Sequence, residues 1–328
     1  MHSSQPFAAS SVQETWSAGA FDSLKLFSLH LTAIGGSGAA ARTVVAPLER
    51  IKILLQVEGV SNLAPRQRYG SFQNAVWQIY QREGFRAYYR GNGANILRLL
   101  PDTAVKFALH DSFKVMFAPP DGRPLGLTGK LAAGSATGLI KCLSSYPLEL
   151  ARTRLAADVS QIGQPRLYTG IVHCLLDTWQ HEGTRGLYKG VLASTAGVVP
   201  YLAISFTMYD ELQSRLPDNK DARSAWWYGV TKLGSGAAAG LVASTVVYPV
   251  DTVRRRMQVS GSPRHSVSYK GYWDCIRSMS RREGLTAFYR GAGVNALRII
   301  PAAAVQFTTY DVLKYALLAL DPSAASPL

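Results

Sequence analysis

Cysteine is scarce in this chain of 328 residues, and its few occurrences follow no metal or disulfide pattern. The three cysteines are Cys142, Cys174 and Cys275, and no two of them form a CxxC pair. A disulfide framework or a zinc site needs cysteines at short, paired spacings. We therefore interpret all three as buried thiols and expect no bound metal.

Acidic residues are also few, since 21 Asp and Glu stand against 35 Lys and Arg and leave a net charge of +14. Hydrophobic residues make up 47% of the chain, which argues against disorder. A basic, apolar chain suits a nucleic acid, a membrane surface or an anionic small molecule. No Lys or Arg precedes Lys25, so the N-terminus resembles neither an Arg-rich transit peptide nor a signal peptide. Targeting information is expected within the chain.

The sequence motifs of common enzymes are missing. There is no GxxxxGK[ST] loop and no GxSxG elbow, and the six histidines form no HExxH pair. The basic residues recur at helix ends and do not gather on one polar domain, which argues against nucleic-acid binding. We expect a protein that is not an enzyme and that needs no cofactor. A channel-like or proton-leak protein stays open as an alternative to a transporter.

Long apolar segments are present, but most are interrupted by charge. The segment from Val191 to Tyr209 has 19 residues without a formal charge, and about 20 such residues span a bilayer as a helix. Three further apolar segments, Leu26–Pro47, Leu131–Pro147 and Ala225–Val250, carry only isolated basic residues. Charged side chains are tolerated in a membrane helix when they face a water-filled cavity.

One hexapeptide pattern occurs three times: a proline, an acid two residues later and a base three residues after the acid. It begins at Pro47, Pro147 and Pro249, in steps of 100 and 102 residues. Four markers follow in the same register, namely Glu-Gly pairs at 83, 182 and 283, aromatic-basic-glycine triplets at 89, 188 and 289, prolines at 101, 200 and 301, and aspartates at 111, 210 and 311. The sequence therefore predicts three tandem repeats.

The repeat boundaries predict the domain organisation. We predict an N-terminal extension over residues 1–22, repeats over 23–118, 126–216 and 226–318, and a tail over 319–328. Each repeat contains a long helix, a polar connector, a short amphipathic helix and a second long helix. The predicted fold is an all-α membrane protein with six transmembrane helices in three two-helix repeats related by pseudo-threefold symmetry. An even number of spans places both termini on one side.

The threefold proline, acid and base pattern resembles the mitochondrial carrier family, over nearly the whole chain from about Leu24 to Leu318. The resemblance implies a multi-pass secondary transporter of the mitochondrial inner membrane. It further implies that the transporter works as a monomer by alternating access and that both termini lie on the cytosolic side.

The family resemblance also implies two gates. At the matrix end the implied pairs are Glu49–Arg152, Glu149–Arg254 and Asp251–Lys52, with bracing glutamines Gln56 and Gln258. At the cytoplasmic end the implied groups are Asp111 with Lys114, Asp210 with Gln213 and Asp311 with Lys314. Gln213 replaces a base there, so we expect two charge pairs and one neutral hydrogen bond. The alternative for the matrix groups is three solvated surface pairs, each worth about 1 kcal/mol or less.

Carriers of this family bind their substrate on the second long helix of each repeat, three residues before the second proline of that repeat. That depth holds Arg98, Gly197 and Arg298 here. Arginines at mid-membrane depth are costly unless they face water and an anion, and their planar fork suits phosphate. The alternative is that the arginines pair with carboxylates. Asp102 is the only acid on the same helices at that depth, which favours the substrate role.

Two segments are similar to ADP/ATP-type adenine nucleotide carriers, PLERIKILLQ at 47–56 and ARTRLAAD at 151–158. The resemblance implies a substrate site at Arg42, Arg98, Gly197, Val198, Tyr201 and Arg298, to which Lys106 is added because it lies two helical turns from Arg98. Gly197 and Val198 leave apolar room for a purine ring. The run RRRMQV at 254–259 and Leu202 depart from that pattern, so coenzyme A or another adenine-containing phosphate compound stays open as the substrate. No EF-hand loop is present, which disfavours a calcium-regulated carrier.

Five glycines mark predicted helix starts: Gly91, Gly170, Gly190, Gly271 and Gly291. Unpaired backbone N–H groups at helix N-termini bind phosphate. We therefore predict that these glycines bind three diphosphatidylglycerol (cardiolipin) molecules.

Overall fold

The computed structural model describes residues 9–61, 68–118, 126–159, 166–215, 225–262 and 267–320. Side chains are described from Thr32 onward, with short gaps that include the side chain of Asp111. The first eight residues of the predicted N-terminal extension and most of the predicted tail lie outside the described residues. Within the described part the chain is helical and has no β-strand, which confirms the predicted all-α fold.

Eleven α-helices occur in the described residues, and they follow the predicted order three times. They are α1 (Ala9–Val57), α2 (Phe72–Glu83), α3 (Asn92–Leu97), α4 (Leu99–Met116), α5 (Leu127–Ala157), α6 (Ile171–Leu187), α7 (Val191–Ser214), α8 (Ala225–Val259), α9 (Tyr272–Glu283), α10 (Ala292–Leu297) and α11 (Ile299–Leu320). Helices α1, α5 and α8 open the three repeats. The short helices α2, α6 and α9 come next, and a second helical stretch closes each repeat.

Two of the described segments are long and apolar enough to cross a membrane by length and composition, Val191–Ser214 of α7 and Gly234–Val259 of α8. The described parts of the other helices do not meet these criteria. The six transmembrane helices expected from the sequence therefore stay a prediction.

Two helical stretches are interrupted at arginines. Helix α3 ends at Leu97 and α4 begins at Leu99, so Arg98 forms the junction, and Arg298 forms the same junction between α10 and α11. Each junction lies three residues before a proline, which has no N–H to bond the carbonyl four residues earlier. Each proline thus removes one backbone hydrogen bond and weakens the helix next to the arginine. In the second repeat α7 continues through Pro200.

The chain divides into two compact units. The larger unit, residues 42–302, holds all the residues predicted for the matrix gate and the substrate site. Its main apolar core lies at the C-terminal ends of α1 and α8, where Ile53, Val57 and Met257 pack with Met279 of α9. The smaller unit joins residues 1–41 to 303–328. Within it, α1 and α11 pack closely at Gly36. A Cβ on that residue would lie 2.8 Å from Cδ1 of Leu313.

Candidate functional site

Three acid–base pairs join α1, α5 and α8, and they are the pairs that the family resemblance implies. Lys52 Nζ lies 2.7 Å from Asp251 Oδ2, Arg152 pairs with Glu49, and Arg254 pairs with Glu149. We call these six residues the acid–base ring. Glu49, Lys52 and Glu149 are buried and the other three side chains are at most 24% exposed, so these are not the solvated surface pairs of the alternative interpretation. A buried pair loses much more than a surface pair when one partner is removed.

The two predicted glutamines lie against the ring. Gln56 Nε2 is 3.3 Å from Asp251 Oδ2. Gln258 donates to Tyr146 Oη at 3.1 Å and accepts from Thr153 Oγ1 at 2.8 Å. Both glutamines are fully buried, so each fills a position between two of the long helices.

Arg98 and Arg298 are bound to carboxylates, which is the alternative arrangement considered from the sequence. Arg98 lies 3.1 Å from Asp102 and 2.9 Å from Glu149, and Arg298 lies 2.6 Å from Glu49. Asp102 is the acid on the helix of Arg98, as the sequence indicates, but two further carboxylates reach the arginines. Glu49 and Glu149 come from α1 and α5, and the sequence of one helix does not reveal acids that neighbouring helices supply.

A cavity of about 380 Å³ brings four of the predicted substrate residues together: Gly197, Val198, Tyr201 and Arg298. Lys52, Asp251 and Arg254 of the ring line the same cavity. It therefore has an apolar wall on α7 beside basic side chains. Gly197 has little spare room on one side, because a Cβ there would lie 3.3 Å from Val247 Cγ1.

The other three predicted substrate residues do not line this cavity. Arg42 lies 3.8 Å from Asp102 and donates hydrogen bonds to Asn95, so it joins Arg98 at a second cluster. Lys106 is exposed on α4. The structure thus divides the predicted substrate site into the cavity, the Asp102 cluster and an isolated lysine.

Sequence reasoning missed three polar residues next to the ring. Arg255 is buried and lies 3.2 Å from Glu149, Asn95 donates to Glu49 at 3.0 Å, and Asn295 accepts from Lys52 at 3.1 Å. A usable signal existed for the asparagines, because each stands three residues before a predicted substrate arginine.

A second layer of charge contacts recurs three times below the ring. A fully buried arginine donates from Nε to a backbone carbonyl of the next repeat's long helix and binds the Glu of its own Glu-Gly pair. The contacts are Arg50 to Ala156 O and Glu83, Arg154 to Gln258 O and Glu182, and Arg256 to Gln56 O and Glu283. The base of each aromatic-basic-glycine triplet binds the same glutamate. These contacts explain two of the sequence markers.

Most side chains of the predicted cytoplasmic gate are exposed. The side chains of Lys114, Asp210, Asp311 and Lys314 are exposed, and Gln213 is half-buried. The side chain of Asp111 lies outside the described residues. Asp311 and Lys314 belong to the smaller unit, and the other four gate residues belong to the larger one.

The five glycines predicted to bind lipid all stand directly before helices. Gly91 and Gly170, which precede α3 and α6, line one pocket of about 190 Å³ together with Arg90 and Arg166. Gly291, which precedes α10, lines another of about 370 Å³ with Gly70 and Arg290. Gly190 and Gly271 precede α7 and α9, which are joined by a hydrogen bond from Leu192 N to Tyr272 Oη at 3.1 Å.

The glycine of each triplet also has a backbone reason to be glycine. Gly91 has a φ of +82°, and a Cβ there would lie 2.7 Å from the carbonyl oxygen of Arg152. A positive φ and this close approach both exclude a larger residue. Gly70 was not predicted, although it occupies a matching position in the first repeat.

The three cysteines are free; Cys174 and Cys275 are buried as expected, whereas Cys142 is only half-buried. Burial raises the pKa of Cys174 and of Cys275 to about 12. Such thiols are inert at neutral pH. No cluster of His, Cys, Asp and Glu suited to a metal ion occurs in the described residues.

Comparisons with known proteins agree with the threefold architecture. A family model described as mitochondrial carrier protein matches residues 25–120, 123–220 and 227–319. Mitochondrial carrier protein CoAc1 of Zea mays is 36% identical over 98% of this chain and 97% of its own length. The mitochondrial adenine nucleotide transporter ADNT1 of Arabidopsis thaliana is 36% identical over 87% of this chain and 85% of its own. For ADP/ATP translocase 3 of Bos taurus the identity is 37%, over 88% and 97%. The chain therefore belongs to the mitochondrial carrier family, whose members are membrane transporters.

Proposed function

We propose that this carrier exchanges adenine nucleotides across the mitochondrial inner membrane by alternating access. The proposal rests on the observation that two ring carboxylates each bind two arginines. Glu149 binds Arg254 of the ring and Arg98, and Glu49 binds Arg152 of the ring and Arg298. Arginine is well suited to phosphate, and both arginines stand at the depth where carriers read their substrate.

Substrate binding and gate opening share these contacts. A polyphosphate that enters the site competes with Glu49 and Glu149 for the two arginines. When the arginines turn to the phosphates, their contacts with Glu149 and Glu49 are lost. Each of these contacts joins the second helical stretch of one repeat to the first long helix of another. The ring then depends on its own three pairs, which lowers the cost of separating α1, α5 and α8. A ligand shifts such an equilibrium only through a difference in affinity between the two states.

The purine would lie in the cavity beside Gly197, Val198 and Tyr201. This wall offers apolar surface and one ring for stacking, and Arg298 lines the same cavity. Coenzyme A is the second candidate, because it carries an adenine and several phosphates and because the relative named CoAc1 matches almost the entire chain. In both cases the ring of six residues forms the matrix gate, and both termini lie on the cytosolic side.

The test is uptake into proteoliposomes of purified protein. Labelled ADP, ATP, AMP, coenzyme A and phosphate are supplied one at a time, with and without internal substrate. We expect uptake of at least one adenine nucleotide that depends on internal nucleotide. Uptake of coenzyme A alone supports the second candidate, and uptake of none of the adenine compounds contradicts the proposal.

We further propose that the pockets at Gly91 with Gly170 and at Gly291, and the helix starts at Gly190 and Gly271, hold diphosphatidylglycerol. Helix N-termini and the nearby Arg90, Arg166 and Arg290 suit its two phosphates. Added diphosphatidylglycerol is expected to raise the thermal unfolding midpoint of the monomeric carrier. An equal effect of a neutral lipid, compared at the same concentration, contradicts this assignment.

A further inference from the structure

Asp102 of α4 is a buried carboxylate at which three basic side chains from different helices converge. Its Oδ2 lies 3.1 Å from Arg98 Nε, 3.7 Å from Lys141 Nζ and 3.8 Å from Arg42 Nη2. Only 5% of the side chain is exposed. Its other oxygen, Oδ1, is buried and has no hydrogen-bond partner within the described part of the chain.

This carboxylate breaks the threefold pattern of the site. The corresponding positions after the second proline are Tyr201 and Ala302, which carry no charge. Arg298 therefore has no carboxylate one turn away on its own helix and is bound by Glu49 of α1. Because the other two repeats pack without an acid at this position, the fold itself does not require one at 102. The asymmetry points to a role in the substrate site.

We propose that Asp102 is an internal counter-ion, which keeps Arg42, Arg98 and Lys141 together in the empty carrier and sets how strongly the site prefers highly charged anions. The inference rests on the proposed function, because it deepens the role of the same phosphate site. Three cations held this close together without an anion repel one another. Asp102 offsets one of their three positive charges, in addition to Glu149, which binds Arg98 alone of the three.

The counter-ion has a measurable consequence for selectivity. The repulsion between Asp102 and a bound anion grows with the number of charges on that anion. Removing the carboxylate charge therefore favours a polyphosphate more than a single phosphate. A residue that only supports the fold, or that only donates a hydrogen bond to the ligand, changes the affinity for all anions by a similar factor.

The test uses Asp102→Asn, which removes the charge and keeps the shape. Binding of inorganic phosphate, pyrophosphate and tripolyphosphate to the full-length carrier in lipid nanodiscs is followed by thermal unfolding. We expect affinity to increase about twofold for phosphate and about tenfold for tripolyphosphate, because the lost repulsion scales with ligand charge. Asp102→Glu retains the charge and should keep the wild-type order of affinities. Asp177→Asn on α6 is the matched control for net charge, and it should leave all three affinities unchanged.

Equal factors for the three anions, or weaker binding of tripolyphosphate by Asp102→Asn, would overturn the proposal. If that variant is not recovered folded, Lys141→Gln provides the same test with the opposite sign, because Lys141 is the most exposed of the three bases. Its affinity for tripolyphosphate should then fall more than its affinity for phosphate, and an equal fall for both overturns the proposal. The readout requires neither transport nor adenine, so a carrier that fails to take up nucleotides can still pass or fail this test.

Discussion

Arg98 and Arg298 have two possible partners, a ring carboxylate and a substrate phosphate. In this structure the carboxylates hold them, at 2.9 Å from Glu149 and at 2.6 Å from Glu49. Both guanidinium groups remain partly exposed, so an anion in the site can reach them. This arrangement keeps two costly charges paired when no substrate is bound.

Replacing either arginine with alanine is expected to stop transport and to leave the carrier folded. Truncating one partner of a buried charge contact typically costs 2–5 kcal/mol, so uptake should fall by about a hundredfold or more. The fold should persist because Glu49 and Glu149 retain Arg152 and Arg254. The measurements are nucleotide uptake in proteoliposomes and the thermal unfolding midpoint.

A matched control exists on the surface. Arg215 pairs with Glu211 one turn away, and its side chain is 76% exposed. Arg215→Ala should transport as the wild type does. Normal uptake by Arg98→Ala or Arg298→Ala would remove that arginine from the mechanism.

At the scale of the elements, the short helices α2, α6 and α9 are tied to the long helices by the buried arginine–glutamate contacts. In the third repeat Arg256 of α8 lies 2.9 Å from Glu283 at the end of α9, and Arg290 binds the same carboxylate at 2.6 Å. Arg256 also bonds the carbonyl of Gln56 on α1, so one side chain links two repeats. Loss of the glutamate leaves a buried arginine without its anion.

Glu283→Gln is therefore expected to destabilise the carrier by about 3 kcal/mol, because breaking a buried pair exposes the cost of the remaining charge. Glu211→Gln is the control, since it removes a carboxylate of an exposed pair worth less than about 1 kcal/mol. Thermal unfolding midpoints of the three proteins provide the comparison. Equal midpoints for wild type and Glu283→Gln would contradict the structural role of this contact.

The same contact predicts how stability depends on pH. Burial raises the pKa of Glu283, but its hydrogen bond and charge contact with Arg256, together with Arg290, lower the pKa by more, so the folded-state pKa lies below the ordinary value. The stabilisation is thus fully present above the unfolded-state pKa and is lost as pH falls through the folded-state pKa. Wild type should lose more stability than Glu283→Gln between neutral pH and about pH 3, a range that brackets the ordinary glutamate pKa of about 4.3.

The sequence predicted the elements better than it predicted the contacts of the site. The repeat of Pro47, Pro147 and Pro249 and its markers predicted the order of helices, because proline and glycine act locally on the backbone. Glu149 and Glu49 were not predicted as partners of Arg98 and Arg298, because they come from other helices. The buried pairs of Arg50, Arg154 and Arg256 were likewise missed, although the sequence had already singled out their glutamates as markers.

Arg50 shows why the repeat register alone does not reveal which arginines make equivalent contacts. It stands three residues after Pro47, whereas Arg154 and Arg256 stand seven residues after their prolines. The three arginines nevertheless make the same contacts. One helical turn separates positions +3 and +7, so they share a helix face, and a long side chain spans the difference.

At the scale of the whole molecule, alternating access depends on the balance between two gates. The ring contains three charge pairs, while the predicted cytoplasmic gate has Gln213 in place of a base. A charge-assisted hydrogen bond exceeds a neutral one by about 1 kcal/mol, which shifts a two-state balance about fivefold. We predict that the empty carrier rests with its matrix gate closed and opens to the cytoplasmic side.

Gln213→Lys should weaken this preference, because it restores a third charge pair at the cytoplasmic gate. A cysteine placed at Gly197 in a background without native cysteines reports the accessible side through its labelling rate. Labelling should be faster from the cytoplasmic side in the parent protein, and the bias should shrink in Gln213→Lys. The same bias in both proteins would mean that the two gates do not set the resting state.

The central claim is strict exchange of adenine nucleotides, and efflux from loaded proteoliposomes tests it most directly. Vesicles containing labelled ADP are diluted into buffer with unlabelled ATP or without nucleotide. The account predicts rapid efflux when external ATP is present, little efflux without it, and little efflux in either case for Arg98→Ala. Efflux of the same rate with and without external nucleotide would indicate a channel, and it would contradict the exchange mechanism.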